Sequence, residues 1–196
     1  LHNAVSPIFG VMSAAFLGAQ MIARPAATEH NPYYSKYIRL VPEGDLLAIL
    51  EEQRRATQEL LAPLSEDQAR YRYAEGKWTV TEVIGHLADT ERIFAYRALR
   101  FARGDTTPLA SYDENAYTPA GRFNERSLGS VAAEYAAVRD ATLALLGGVP
   151  GDAFGRSGVA ADNEISVRAC AYIIAGHELH HVGILRERYG VGGSQT

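Results

Sequence analysis

Ser166-Val-Arg-Ala-Cys170-Ala-Tyr-Ile-Ile174-Ala-Gly-His177-Glu178-Leu179-His180-His181-Val-Gly-Ile184-Leu-Arg-Glu-Arg188-Tyr189-Gly190 is the stretch from which the fold can be read. It predicts one long helix. Ser166 supplies an N-cap and Gly190 a C′ residue, and Arg186 and Arg188 sit where cations suit the helix C-terminus. Cys170, Ile174, His177, His181, Ile184 and Arg188 recur at alternating four- and three-residue steps, the seam that a helix turns toward a core. His177 and His181 thus occupy positions where a bundle ordinarily carries Leu or Ile. At i, i+4 two imidazoles can reach one metal ion, and three of the six histidines fall within these five residues. The competing reading is a pair of core histidines that are simply hydrogen-bonded.

The rest of the chain supplies partners for this helix. At 196 residues it suits one domain with a sizeable core. A formal net charge of −4 and the absence of any basic run exclude a nucleic-acid or membrane-surface partner class. The single cysteine, Cys170, rules out an internal disulfide framework and suits a reducing, cytoplasmic setting; its seam position marks it as a small buried apolar residue. Residues 1–20 are apolar and uncharged, lacking both the basic start of a signal peptide and the length of uninterrupted apolar chain a spanning helix needs. They are expected to be an N-terminal extension, dispensable for the site, with the helical domain occupying 21–196.

Residues 22–44, rich in Pro and Tyr, read as an extended arm. Asp45 caps a first helix, Leu46 to about Leu61, and Ser65-Glu-Asp-Gln starts a further short turn. Trp78 ends the following loop and is expected to anchor in the core. Thr79-Val-Thr-Glu82 is a capping box that opens a second long helix, Val80 to about Arg103, closed by Gly104. Its seam runs Val83, His86, Thr90, Ile93, Arg97, so a third histidine also faces the core. Asp89 lies one turn from His86, near enough to orient it or to move a proton; Glu82 is engaged by the capping box, and Glu91 reads as a surface charge. The connection 105–127 is long enough to suggest a functional loop. Ser127 or Ser130 caps a third helix ending at Gly147-Gly148, and 149–164 reads as loop. No segment alternates convincingly over strand length. The expected fold class is all-α: a four-helix bundle with long connections and a site in its core.

His177-Glu178-Leu179-His180-His181 formally matches the H-E-x-x-H helix of zinc proteases. Its extended form needs Gly and His three and six residues past His181, where Ile184 and Glu187 stand, and too little chain follows for a distant Glu ligand. His86 is the better third ligand. Three neutral imidazoles leave a divalent ion open to water or substrate, as in catalytic sites, and both Zn²⁺ and Ni²⁺ accept them. His180, about 60° away on the helix wheel, falls outside the set.

Gly76-Lys-Trp-Thr-Val-Thr-Glu-Val-Ile-Gly-His86-Leu-Ala-Asp-Thr-Glu-Arg-Ile-Phe, followed by Ala175-Gly-His177-Glu-Leu-His-His181, resembles the DinB/YfiT-like superfamily. The likeness runs from about Met21 to Tyr189, with Asp113-Glu114 and Arg139 adding support. It implies an unusual four-helix bundle, a divalent metal, nickel or zinc, at positions matching His86, His177 and His181, and a homodimer. Characterised members include S-transferases using bacillithiol or mycothiol and a thiol-dependent maleylpyruvate isomerase.

The expected function is a metal-dependent enzyme that activates a low-molecular-weight thiol against a small electrophile, with Asp89 or Glu178 positioning a ligand or carrying a proton. A metal-dependent hydrolase and a non-catalytic metal or small-molecule binding protein are the alternatives. Only a closed binding site would carry a fourth protein ligand.

Overall fold

A computed structural model of the chain describes residues 21–193; the expected extension over 1–20 lies outside them. Seven helices are present among the described residues: α1 (Ser35–Ile38), α2 (Leu46–Leu61), α3 (Glu66–Arg70), α4 (Val80–Ala102), α5 (Glu114–Ala120), α6 (Leu128–Gly147) and α7 (Val167–Tyr189). The four long ones form the bundle, and each begins where a short polar side chain satisfies its free N–H groups. Asp45 accepts from Leu47 N–H, Thr79 from Glu82, Ser127 from Ser130 and Ser166 from Ala169. The capping box at Thr79 is closed by Glu82, whose carboxylate accepts from the Thr79 N–H at 2.7 Å. Gly190 ends α7 at φ +70°, a left-handed conformation that glycine adopts without strain.

The helices pack in an order different from that of the chain. Both α2 and α4 pack against α6 and α7, so the circumference runs α2–α6–α4–α7. The successive long helices α2 and α4 therefore lie across a diagonal, as do α6 and α7. A short turn cannot cross a diagonal, which accounts for the long segments before α4 and before α7. None of the described helices is long and apolar enough to cross a membrane.

Several sequence expectations are corrected by the packing. The segment before α7 carries an antiparallel hairpin, β1 (Ser157–Ala160) with β2 (Asn163–Ser166), where only loop was expected. Its two-residue turn, Ala161-Asp162, has φ +51° and +60° without the glycine that ordinarily announces such a turn. The arm over 22–44 is not merely extended: α1 packs on α7, and Ile22, Tyr37, Ile38 and Val41 are buried. Gly176 of α7 makes that approach possible, because a Cβ there would stand 2.1 Å from the Tyr37 carbonyl oxygen. The long 105–127 connection contains α5, and beyond it Phe123 lies flat against Gly85 of α4, where no side chain would fit.

The seams also drift from their expected positions. On α4, Phe94 rather than Ile93 is buried. On α7, everything from Val167 to Glu178 except Arg168 is buried, after which only Leu185 is, leaving Ile184 half-exposed and Arg188 exposed. Glu91, expected at the surface, is buried and paired with Arg139.

Candidate metal centre

α4 and α7 are neighbours in the bundle, and their facing surfaces bring the three predicted histidines together. One ring nitrogen from each of His86, His177 and His181 lies within 4.8 Å of the others. His177 Nε2 is central, 3.1 Å from His86 Nε2 and 3.1 Å from His181 Nε2. His86 and His177 are buried; His181 is half-buried, on the more open side.

Hydrogen bonding alone serves this arrangement poorly. A neutral imidazole nitrogen is either one donor or one acceptor, so His177 Nε2 satisfies only one of its two close contacts in good geometry. A divalent ion with Zn–N bonds of 2.0–2.1 Å would place tetrahedral ligand nitrogens about 3.3 Å apart, close to the observed spacing. Electrostatics favours the same state. Burial pulls His86 down to about 4 and His181 down to about 3, and it holds His177 well below the usual histidine range, with His181 and His86 adding their repulsion. All three rings are thus neutral at ordinary pH, as metal ligation requires.

The surroundings fix these rings. Trp78, expected as a core anchor, is half-buried and lies over His86 with ring centres 4.7 Å apart. Thr90, one turn beyond His86, places Oγ1 3.4 Å from its Nδ1 and 2.6 Å from the Tyr112 hydroxyl. An Nδ1–H donating to Thr90 leaves the Nε2 lone pair facing the cluster. Tyr37 sets its edge against both His177 and His180, at 5.3 and 5.2 Å between centres. His180 is outside the nitrogen cluster, as its helix position predicts.

Neither predicted carboxylate hydrogen-bonds to the three rings. Asp89 pairs with Arg92 at 3.1 Å, and Arg92 also pairs with Glu134 of α6. Burial raises the Asp89 pKa, opposed by Arg92. Glu178 is turned into the core. Its Oε1 accepts from Thr57 at 2.6 Å and Tyr135 at 2.5 Å, and its Oε2 from Arg139 at 2.6 Å. Arg139 also donates twice to Glu91, at 2.8 Å each, and once to the Leu50 carbonyl at 2.9 Å. This fully buried ion network, next in sequence to His177, was missed from the sequence. The signal was nonetheless present: Glu91 interrupts the apolar stripe Leu87–Phe94–Ala98, and Arg139 the stripe Val131–Tyr135–Leu146.

Beside His177 lies a cavity of about 140 Å³ walled by Tyr33, Tyr34, Tyr37, Phe94 and Tyr112, with Thr90 and Arg97 among its polar groups. Cys170 is wholly buried and burial pushes its thiol up to about 12, so the protein offers no nucleophilic sulfur of its own.

Comparison with known proteins places this geometry. Residues 49–185 match the DinB superfamily. Among solved structures, YfiT from Bacillus subtilis, described as a probable metal-dependent hydrolase with an unusual four-helix bundle topology, is 21% identical at a TM-score of 0.67, covering 87% of this chain and 95% of its own. A mycothiol-dependent maleylpyruvate isomerase is 14% identical at a TM-score of 0.61, covering 79% of this chain. This chain spans 63% of the isomerase's length. At these identities both likenesses establish the fold. None of the curated proteins matches the chain.

Proposed function

The chain belongs to the DinB superfamily, and on that premise we propose that it is a metal-dependent enzyme in which His86, His177 and His181 hold a divalent ion, Zn²⁺ or Ni²⁺, and a low-molecular-weight thiol is activated for attack on a small electrophile. The ion, when bound, supplies positive charge that three neutral ligands leave uncompensated and that stabilises a thiolate. The remaining work falls to the chain. Thr90 and Tyr112 hold the tautomer and orientation of His86, Tyr37 and Trp78 wall the imidazoles against water, and the cavity beside His177 receives the electrophile.

One observation favours a thiol over water as the nucleophile. Glu178 is committed to Thr57, Tyr135 and Arg139, and Asp89 to Arg92, so no carboxylate stands hydrogen-bonded at the histidines to act as a base. A thiol ionises far more readily than water and has the lesser need of such a base. Asp89, half-buried and with its pKa raised, is the carboxylate left to carry a proton at the margin of the site. The thiol reading also accords with what is said of the isomerase, and the hydrolase reading with what is said of YfiT.

The test incubates metal-loaded protein with glutathione, cysteine, mycothiol or bacillithiol and a reporter electrophile. Thiol conjugation that disappears in His181→Ala is the expected result. Ester or amide cleavage that depends on His181 but not on thiol would replace this reading with the hydrolase.

A further inference from the structure

The cavity beside His177 holds a buried positive charge, and the acid on its lining, Glu114, is exposed at the rim. Arg97, near the end of α4, is 3% exposed, yet it forms no ion pair among the described residues. Its Nη2 donates to the Ala110 carbonyl at 3.2 Å, and its guanidinium lies over the Phe94 ring at 4.9 Å from the centroid. Arg139, the other buried arginine, is by contrast gripped by two carboxylates. Residues 1–20 and 194–196 contain no Asp or Glu side chain that could serve Arg97. A guanidinium cannot shed its proton, so its charge persists in the interior, and a buried charge without a counter-ion is costly.

Arg97 also lines the cavity, together with Tyr34, Thr90, Tyr112 and His177. We infer that this cavity binds a small molecule through a carboxylate seated on the Arg97 guanidinium, its body lying along the tyrosine walls toward His177. The planar fork of arginine matches a carboxylate with two parallel hydrogen bonds. A phosphate fits less well: it carries more charge and more acceptors than one arginine can meet, and the exposed Glu114 at the rim opposes a dianion. The walls are mostly aromatic, which suits an unsaturated or aromatic acid. That this acid is the substrate rests on the metal-enzyme reading above; that it binds at Arg97 does not.

The experiment is calorimetric titration of crotonate and benzoate, each against its neutral amide, into zinc-loaded and metal-free protein. Both acids should bind at least tenfold more tightly than their amides, with and without zinc. Arg97→Gln should erase that preference while leaving metal content unchanged. Should Arg97→Gln fail to fold, Ser111→Trp, an exposed position on the cavity wall, should block acid binding in an intact bundle. Equal affinity for acid and amide would overturn the inference, as would acid binding seen only with zinc and unaffected by either substitution. Loss of metal from His86→Ala with acid binding retained would support it, whereas a wild-type protein that takes up no metal but binds acids would sink the enzyme reading alone.

Discussion

The Nε2 atoms of His86 and His177, 91 positions apart in the chain, lie 3.1 Å apart across the α4–α7 interface. Their separation and their neutral state both suit a shared ion. Protein purified without an immobilised-metal column is expected to carry one divalent ion per chain. His86→Ala should lose most of it, and His180→Ala and Asp89→Asn should keep it, as read by elemental analysis. Full metal in His86→Ala would exclude this ligand set.

The same burial makes the metal-free protein acid-sensitive. An unfolded histidine titrates near 6.5, whereas folded His86 titrates at about 4 and His181 at about 3. Between those values the unfolded chain binds more protons, so stability is complete above pH 6.5 and falls as pH drops toward 4 and then 3. His86 alone should account for on the order of 3 kcal/mol. Urea midpoints across that range, compared with His86→Leu, measure it; a flat profile in the metal-free protein would contradict the buried neutral state.

Arg139→Met should be among the most damaging single substitutions. It leaves Glu91 and Glu178 buried without their cation, an expected loss of about 3–5 kcal/mol in denaturant titrations. Glu178→Gln keeps acceptors for Thr57 and Tyr135 and should cost less. If the two variants were equally mild, the network would not be carrying buried charge.

Gly176→Ala sets a Cβ into the Tyr37 carbonyl and must push α1 off α7. A loss of about 1–3 kcal/mol is expected, with weakened metal binding because Tyr37 packs on His177. Gly183, on the same helix, faces open space; Gly183→Ala should be neutral or stabilising by up to about 1 kcal/mol. Similar effects at both positions would mean that close approach to α1 is unimportant.

The long helices were legible in the sequence because their signals are local: Thr79 and Glu82 three residues apart, Gly190 just past a periodic run, histidines at i, i+4. The convergence of His86 with His177 was legible for a related reason, since polar rings on apolar seams have to meet something. What escaped depended on partners distant in the chain. Glu91 looks like any helix-surface acid until Arg139 is set opposite it, and the Ala161-Asp162 turn has φ values that its residues do not advertise. The spacing of Asp89 and Glu178 to the histidines points to a positioning or proton-carrying role; spacing along one helix could not tell that Arg139 would hold Glu178 and that Arg92 would take one oxygen of Asp89.

Arg139 has one further consequence, for how the chain assembles. It projects from α6 and bonds to α2 through the Leu50 carbonyl, to α4 through Glu91 and to α7 through Glu178. An intermediate that lacks α4, α6 or α7 forgoes at least one of the two ion pairs, while the charges it half-covers have already given up part of their water. Partly built bundles are thereby penalised relative to both the unfolded and the complete state. Such a centre acts as a checkpoint on cooperativity: the helices are committed together, and misdocked arrangements with the diagonal exchanged have no place to put the charge.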